Sequence, residues 1–164
     1  MFRKLKLVFW SILLCFSTHS LADDGYLRSG MAFVNLKSMD ESTLTFAMVK
    51  GVNLPAIHPD FSLEIEFIQS VDFSFDVMNI GIYATYEFAL ATTPFSLAPR
   101  LGVTYEKLDI QNITFDETTQ NIQGSALAYA LTLRYKFDDE MNIFMDVTEK
   151  KSSRTISYGT EVRF

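Results

Sequence analysis

Through most of this chain, apolar and polar residues alternate with a period of two, in blocks of about ten residues separated by turn chemistry. Residues 61–68, FSLEIEFI, set Phe61, Leu63, Ile65 and Phe67 against Ser62, Glu64, Glu66 and Ile68. Residues 78–88 set Met78, Ile80, Ile82, Ala84, Tyr86 and Phe88 against Asn79, Gly81, Tyr83, Thr85 and Glu87. The same pattern returns over 97–106, 126–137, 141–148 and 156–164. A period of two puts successive side chains on opposite faces of a strand, so these blocks are strands with one greasy face each. Two weaker blocks precede them, 26–36 and 44–53. Leu44, Phe46 and Met48 share a face in the second; in the first, Met31 and Phe33 compete with Ala32, Val34 and Leu36, which leaves its facing unassigned. Pro99 lacks a ladder donor, so the fifth strand is expected to become regular at Arg100. The expectation is an all-β fold without helices, an eight-stranded antiparallel up-and-down transmembrane β-barrel.

The first 22 residues are of another kind. Arg3, Lys4 and Lys6 precede the apolar run LVFWSILLCF, which gives way to the small residues Ser20 and Ala22. This is the layout of a cleaved signal peptide, with cleavage expected after Ala22. The run is about half of what a spanning helix needs. Cys15 lies within it behind Leu14, where lipoprotein processing would need a small residue, so it reads as apolar filler. Of 164 residues, 22 belong to this leader and 142 to one barrel domain, 23–164. That domain holds no cysteine, so its stability must come from burial or from a membrane. All 20 acids lie in it with 11 of the 14 bases, a net charge near −9 that makes nucleic acid an improbable partner.

Alternation does not say which face is inside, and a soluble lipocalin-like barrel would turn the apolar set inward. The polar set carries Glu64, Glu66, Glu87, Glu106, Asp146 and Glu161 with Arg100, Arg134, Lys136 and Arg163, interleaved with small residues such as Gly81, Gly102, Gly159, Ala126, Ala128 and Ala130. Small residues serve little purpose on a solvated exterior but suit the lumen of an eight-stranded barrel, which only just holds side chains. The opposite set is bulky and nearly uncharged, as a lipid-facing wall must be. With both termini on the periplasmic side, the inner connections are 54–60, 89–94 and 138–140, and the outer ones 38–43, 69–77, 109–122 and 150–154. The longest falls outside, and Phe61, Tyr86, Phe88, Phe95, Tyr135, Phe137 and Phe164 gather at the inner strand ends as an interfacial girdle.

The leader, the eight alternating blocks, the segment TPFSLAPRLGVTYEKL and the close YGTEVRF resemble the small outer-membrane β-barrels of Gram-negative bacteria, the OmpA/OmpX-like or porin-family group. The resemblance implies residence in the outer membrane, a monomer, and a last strand read by the barrel assembly machinery. Tyr158, Gly159, Val162 and Phe164 match that assembly signal.

Some barrels of this size are lipid-modifying enzymes that pair a histidine with a serine near the outer leaflet. The mature chain has one histidine, His58, in the turn LPAIHPD on the inner side, so no enzyme is expected and no cofactor or metal is called for. Glu64 and Glu66 share a face with the luminal bases, and mutual neutralisation is their expected role. Six acids and four bases line that lumen by this reading, and a filled lumen should not conduct ions well. Among the outer connections, Lys150, Lys151 and Arg154 form a basic cluster expected to touch the anionic groups of lipopolysaccharide. The functional expectation is a non-enzymatic outer-membrane barrel with a structural or adhesin-like surface role, its partners being membrane lipid, lipopolysaccharide and a surface ligand at the outer loops. The alternatives are passage of small hydrophobic compounds and a soluble periplasmic carrier.

Overall fold

The computed structural model describes residues 24–37, 42–71, 75–110 and 120–164. The expected leader with Cys15, and Asp116 and Glu117 of the longest connection, lie outside them. Eight long strands are present: β1 (Gly25–Leu36), β2 (Ser42–Asn53), β3 (Phe61–Ser70), β4 (Phe75–Tyr86), β5 (Phe95–Ile110), β6 (Gln120–Lys136), β7 (Met141–Glu149) and β8 (Ser153–Arg163). Each pairs antiparallel with its sequence neighbours, and β1 closes on β8 from Tyr26↔Arg163 to Leu36↔Ser153. Closure removes the free edges that an open sheet of this size would expose. Among the described residues there is no helix.

The faces are inverted relative to a soluble protein. Leu127 is 73% exposed and Leu101 63%, whereas Glu64 and Glu161 are wholly buried. Leu63, Ile65, Ile80, Ile82, Val103, Ile143, Met145 and Val162 continue the apolar exterior. A belt this large is not tolerated against water, so lipid is its solvent. The soluble carrier with an apolar interior is thereby excluded.

Closure also settles the facing of β1. Arg28 lies directly opposite Glu161, and opposed residues share a face, so the even positions Tyr26, Arg28, Ala32, Val34 and Leu36 point inward and Phe33 outward. Leu44 and Phe46 of β2 face out, while Thr45, Ala47 and Val49 are buried inside. Inside, the Tyr26 ring lies on Gly51, where an added Cβ would come within 2.1 Å of it. The Tyr83 ring covers Gly102 in the same way, at 2.7 Å. Only glycine leaves room for a tyrosine to lie flat against the wall, which explains two of the small luminal residues.

Two expectations about strand limits change. β5 is regular from Phe95 and runs through Pro99, which pairs with Leu131 of β6. The missing donor is tolerated because the other ladder lapses there. β4 pairs with β5 up to Thr85↔Arg100 and resumes as the two-residue piece Phe88–Ala89 at Phe88↔Leu97, so Pro99 falls opposite the gap. The outer connections are also shorter than read, at 37–41, 71–74, 111–119 and 150–152, because the strands continue into them. The inner ones are 54–60, 87–94 and 137–140, so only 111–119 keeps the expected length asymmetry.

Aromatic rings gather where the termini meet. Phe95 packs on Tyr135 at 5.2 Å between centroids and Tyr86 on Phe88 at 4.7 Å, with Phe137 and Phe164 exposed near them. A girdle of aromatic rings marks a membrane–water boundary in a barrel.

Candidate functional site: the lumen and its two mouths

Alternation on eight strands aims a charged side chain from most of them at one axis, and Glu64 of β3 sits where they converge. Its carboxylate meets Arg28 of β1 at 2.5 Å, Arg100 of β5 at 2.5 Å and Arg134 of β6 at 3.5 Å, and accepts a hydrogen bond from the Tyr26 hydroxyl. Arg100 also reaches Glu66 and Asp146, both at 2.9 Å, and lies 4.2 Å over the Tyr83 ring. Thr132 and Thr148 donate to Asp146 at 2.5 and 2.7 Å. Toward the termini, Arg134 contacts Glu161 at 2.8 Å and Glu87 at 3.1 Å, and Arg163 contacts Glu87 at 2.8 Å and Glu161 at 3.1 Å. Asn142 donates to Glu161 at 2.8 Å, and Ser96 to Glu87 at 2.5 Å. Removing ions from water costs several kcal/mol each, and only shared partners of this kind offset it.

Arg28 and Lys150 were not recognised as luminal from sequence. Arg28 sits on the strand whose facing was ambiguous. The sequence pattern puts Lys150 in an outer loop, yet its alternation from Asp146 and Thr148 continues inward, and its amine lies 3.4 Å from Glu66 with 1% of the side chain exposed. Two expectations are therefore corrected. Lys150 is not part of a surface cluster, because at the start of the β7–β8 turn its side chain still points inward, to Glu66. Lys136 is not part of the luminal network, because it stands at the inner rim, 58% exposed, and pairs with Asp139 at 2.7 Å. Its hydrogen bond holds the Asp139 carboxyl below the usual aspartate range. Among the described residues six acids thus face five bases inside, a closer balance than the sequence suggested. Glu106 is the acid without a basic partner there; it accepts from the Ser153 hydroxyl at 2.6 Å and the Ser152 amide at 3.4 Å.

Lys150→Ala is expected to lower stability by about 1–3 kcal/mol, since it strips a charge-assisted partner from a buried carboxylate. Lys151→Ala on the exposed turn should change it by less than about 0.5 kcal/mol. Urea titrations of the refolded variants measure both.

Part of the outer half of the lumen is apolar. Ala32, Val34 and Leu36 of β1 meet Ala47, Ile68, Val77 and Leu108 in one buried cluster. The sequence hid this layer because β1 is apolar on both faces, Ile68 is a lone apolar residue on the polar face of its block, and Val77 and Leu108 lie beyond the clean alternation. At the inner mouth a cavity of about 190 Å³ is lined by Glu87, Ser96, Lys136, Asn142 and Arg163 among others. At the outer mouth a notch of about 100 Å³ lies between Glu106, residues 123–126 of β6, and Lys151 and Ser152.

His58 is half exposed on its turn, with Nδ1 3.6 Å from Asp60 and Nε2 3.4 Å from the Tyr86 hydroxyl. No hydrogen bond joins it to a serine among the described residues, and no group of three or more His, Cys, Asp or Glu there could hold a metal ion. Tyr158 and Val162 project outward, Gly159 lies opposite Gly30, and the Phe164 amide donates to Gly25 at 3.0 Å.

No family model matches the chain, and no curated protein does. Solved structures do. The N-terminal β-barrel domain of Pseudomonas aeruginosa OprF matches with a TM-score of 0.63 at 12% identity, over 87% of this chain and 98% of that one. The chain folds as a small outer-membrane β-barrel. Ail, the attachment invasion locus protein of Yersinia pestis, matches at 0.59 and 15%, over 86% and 97% of the two chains. Neisserial surface protein A matches at 0.58 and 13%, over 85% and 95%. The shared property is the barrel; at these identities the luminal and loop residues of this outer-membrane barrel stand on their own geometry.

Proposed function

We propose that the chain is exported through a leader at 1–22 and serves, as domain 23–164, as a non-enzymatic, monomeric outer-membrane barrel with a structural or surface-interaction role. The observation that carries this reading is the filling of the lumen by buried side chains. The ion network centred on Glu64 and the buried cluster around Val34 and Leu108 both lie inside it, so the parts free to meet another molecule are at the ends. Ail, solved in complex with the heparin analogue sucrose octasulfate, supports a surface role by its likeness. A sulfated sugar fits this chain poorly, because Lys37 and Arg154 both engage Glu149 and little free positive charge remains. Of the residues read as a lipopolysaccharide contact, Lys151 stays in that role, whereas the charge of Arg154 is taken up by Glu149. In planar bilayers the purified barrel is expected to give no conductance steps. Cells lacking it should lose binding to a surface partner while keeping their permeability to small solutes. Sustained conductance would replace this reading with passage of solutes.

For biogenesis, the barrel assembly machinery is the proposed reader of Tyr158, Gly159, Val162 and Phe164. Phe164→Ser is expected to cut insertion in cells several-fold while refolding into detergent micelles stays close to the parent's. An equal loss in both settings would make the ring a packing residue alone.

A further inference from the structure

The pairing registers of β6 leave part of it open. β5 accompanies it along its whole length, to Ile110↔Gln120, but β7 reaches only Tyr129↔Glu149. Among the described residues, nothing pairs with 120–128 on the β7 side, so a closed barrel carries one free strand edge above its β7–β8 turn. Natural edges are blunted by lysine, proline or charge, and this one, QNIQGSALA, has none of them. Outward Lys107, Gln123 and Ser125, all exposed, follow the apolar Tyr105 and Leu127, so the edge leaves the lipid belt at Leu127 and its 123–126 part stands on the aqueous side.

The outer notch lies along this edge, and the buried carboxylate of Glu106, the acid without a basic partner, helps line it. Glu106 is directly opposite Gly124, and an added Cβ at Gly124 would meet nothing within 4 Å. A strand added to β6 would put the residue opposite Gly124 on the same face as Glu106, ~10 Å away across two strand spacings. A lysine or arginine there has an open path over the glycine to the carboxylate.

We propose that the edge at 123–128 is a docking site for an extended segment of a partner protein carrying a basic residue, bound by strand addition and anchored on Glu106. A second copy of the chain is a poor occupant. Two barrels upright in one membrane are related by an axis along its normal, and strands tilted about 40° would then cross at about 80° and could not pair. The net charge of −6 favours a basic partner, and Lys151, which also lines the notch, is a competitor for Glu106.

The inference rests on the surface-interaction reading and is tested separately from it, on the barrel refolded in lipid nanodiscs. The probes are the capped peptide STVRVTS, its glutamate counterpart STVEVTS, and the arginine peptide N-methylated at alternate positions. The arginine peptide should bind at least 10-fold more tightly than the glutamate one and should slow amide exchange within 123–128. The N-methylated peptide should not bind. Glu106→Gln should remove most of the preference for arginine, and Lys151→Ala should increase it, with the heat-modifiable gel shift reporting that both variants are folded. Equal binding of the two charged peptides, protection elsewhere on the barrel, or dimerisation in place of peptide binding would overturn the proposal. Adhesion retained in Glu106→Gln cells would overturn only this site and leave the surface role standing.

Discussion

Glu64→Ala should cost the barrel about 3–5 kcal/mol, the largest loss expected from any single luminal change. The carboxylate is shared by Arg28, Arg100 and Arg134, so its removal leaves three buried guanidinium groups facing one another with less negative charge between them. Arg134 keeps Glu161 and Glu87, and Arg100 keeps Glu66 and Asp146, whereas Arg28 retains Glu161 only at 3.8 Å and a hydrogen bond to Thr132. Arg28 is therefore the group stranded by the substitution, and Glu64→Ala combined with Arg28→Met should recover part of the loss. Glu64→Gln should fall between parent and alanine, because the amide oxygen still accepts hydrogen bonds but carries no charge. The chain's one tryptophan is Trp10, in the expected leader, so the folded fraction is best followed through urea by far-UV circular dichroism and gel mobility without heating. A loss below about 1 kcal/mol for Glu64→Ala would mean that the arginines are hydrated and the network is not a closed one.

Ile82→Arg should destabilise the barrel in lipid by about 2–4 kcal/mol. Ile82 is more than half exposed and pairs with Ile65 on one side and Val103 on the other, both exposed, which places it in the middle of the apolar belt. On a water-facing sheet the same change would be within about 0.5 kcal/mol, since an exposed site tolerates arginine. Unfolding titrations in lipid vesicles distinguish the two, and a near-zero effect there would remove the argument that lipid is the exterior solvent. Arginine at Ser125, outward but above the belt, is the matched control and should be nearly neutral.

The strands were legible where one face is greasy and the other polar, as in FSLEIEFI and the last strand, because a period of two survives any tertiary arrangement. The inward acids Glu64, Glu66, Glu87, Glu106, Asp146 and Glu161 could be found this way, since each falls in a block whose parity is plain. Arg28 could not, because both faces of β1 are apolar and its parity carries no signal. Lys150 and Lys136 were exchanged between rim and lumen for a related reason. Alternation says which way a side chain points, but where a strand stops decides whether the space it points into is enclosed. Pro99 shows the same limit: its missing donor forbids a ladder on one side only, and which neighbour lapses is a matter of register.

By itself, then, the sequence determined the strand count, the period and the chemistry of each face, because these depend on the order of residues and on the geometry of an extended backbone. The tertiary structure alone decided which residues share the lumen at one height. Closure of β1 on β8 brought Arg28 opposite Glu161, the facing of β1, β5 and β6 across the lumen brought three arginines to Glu64 of β3, and the unequal lengths of β6 and β7 left an edge open. Those depend on register and shear between strands far apart in the chain, which no local pattern encodes.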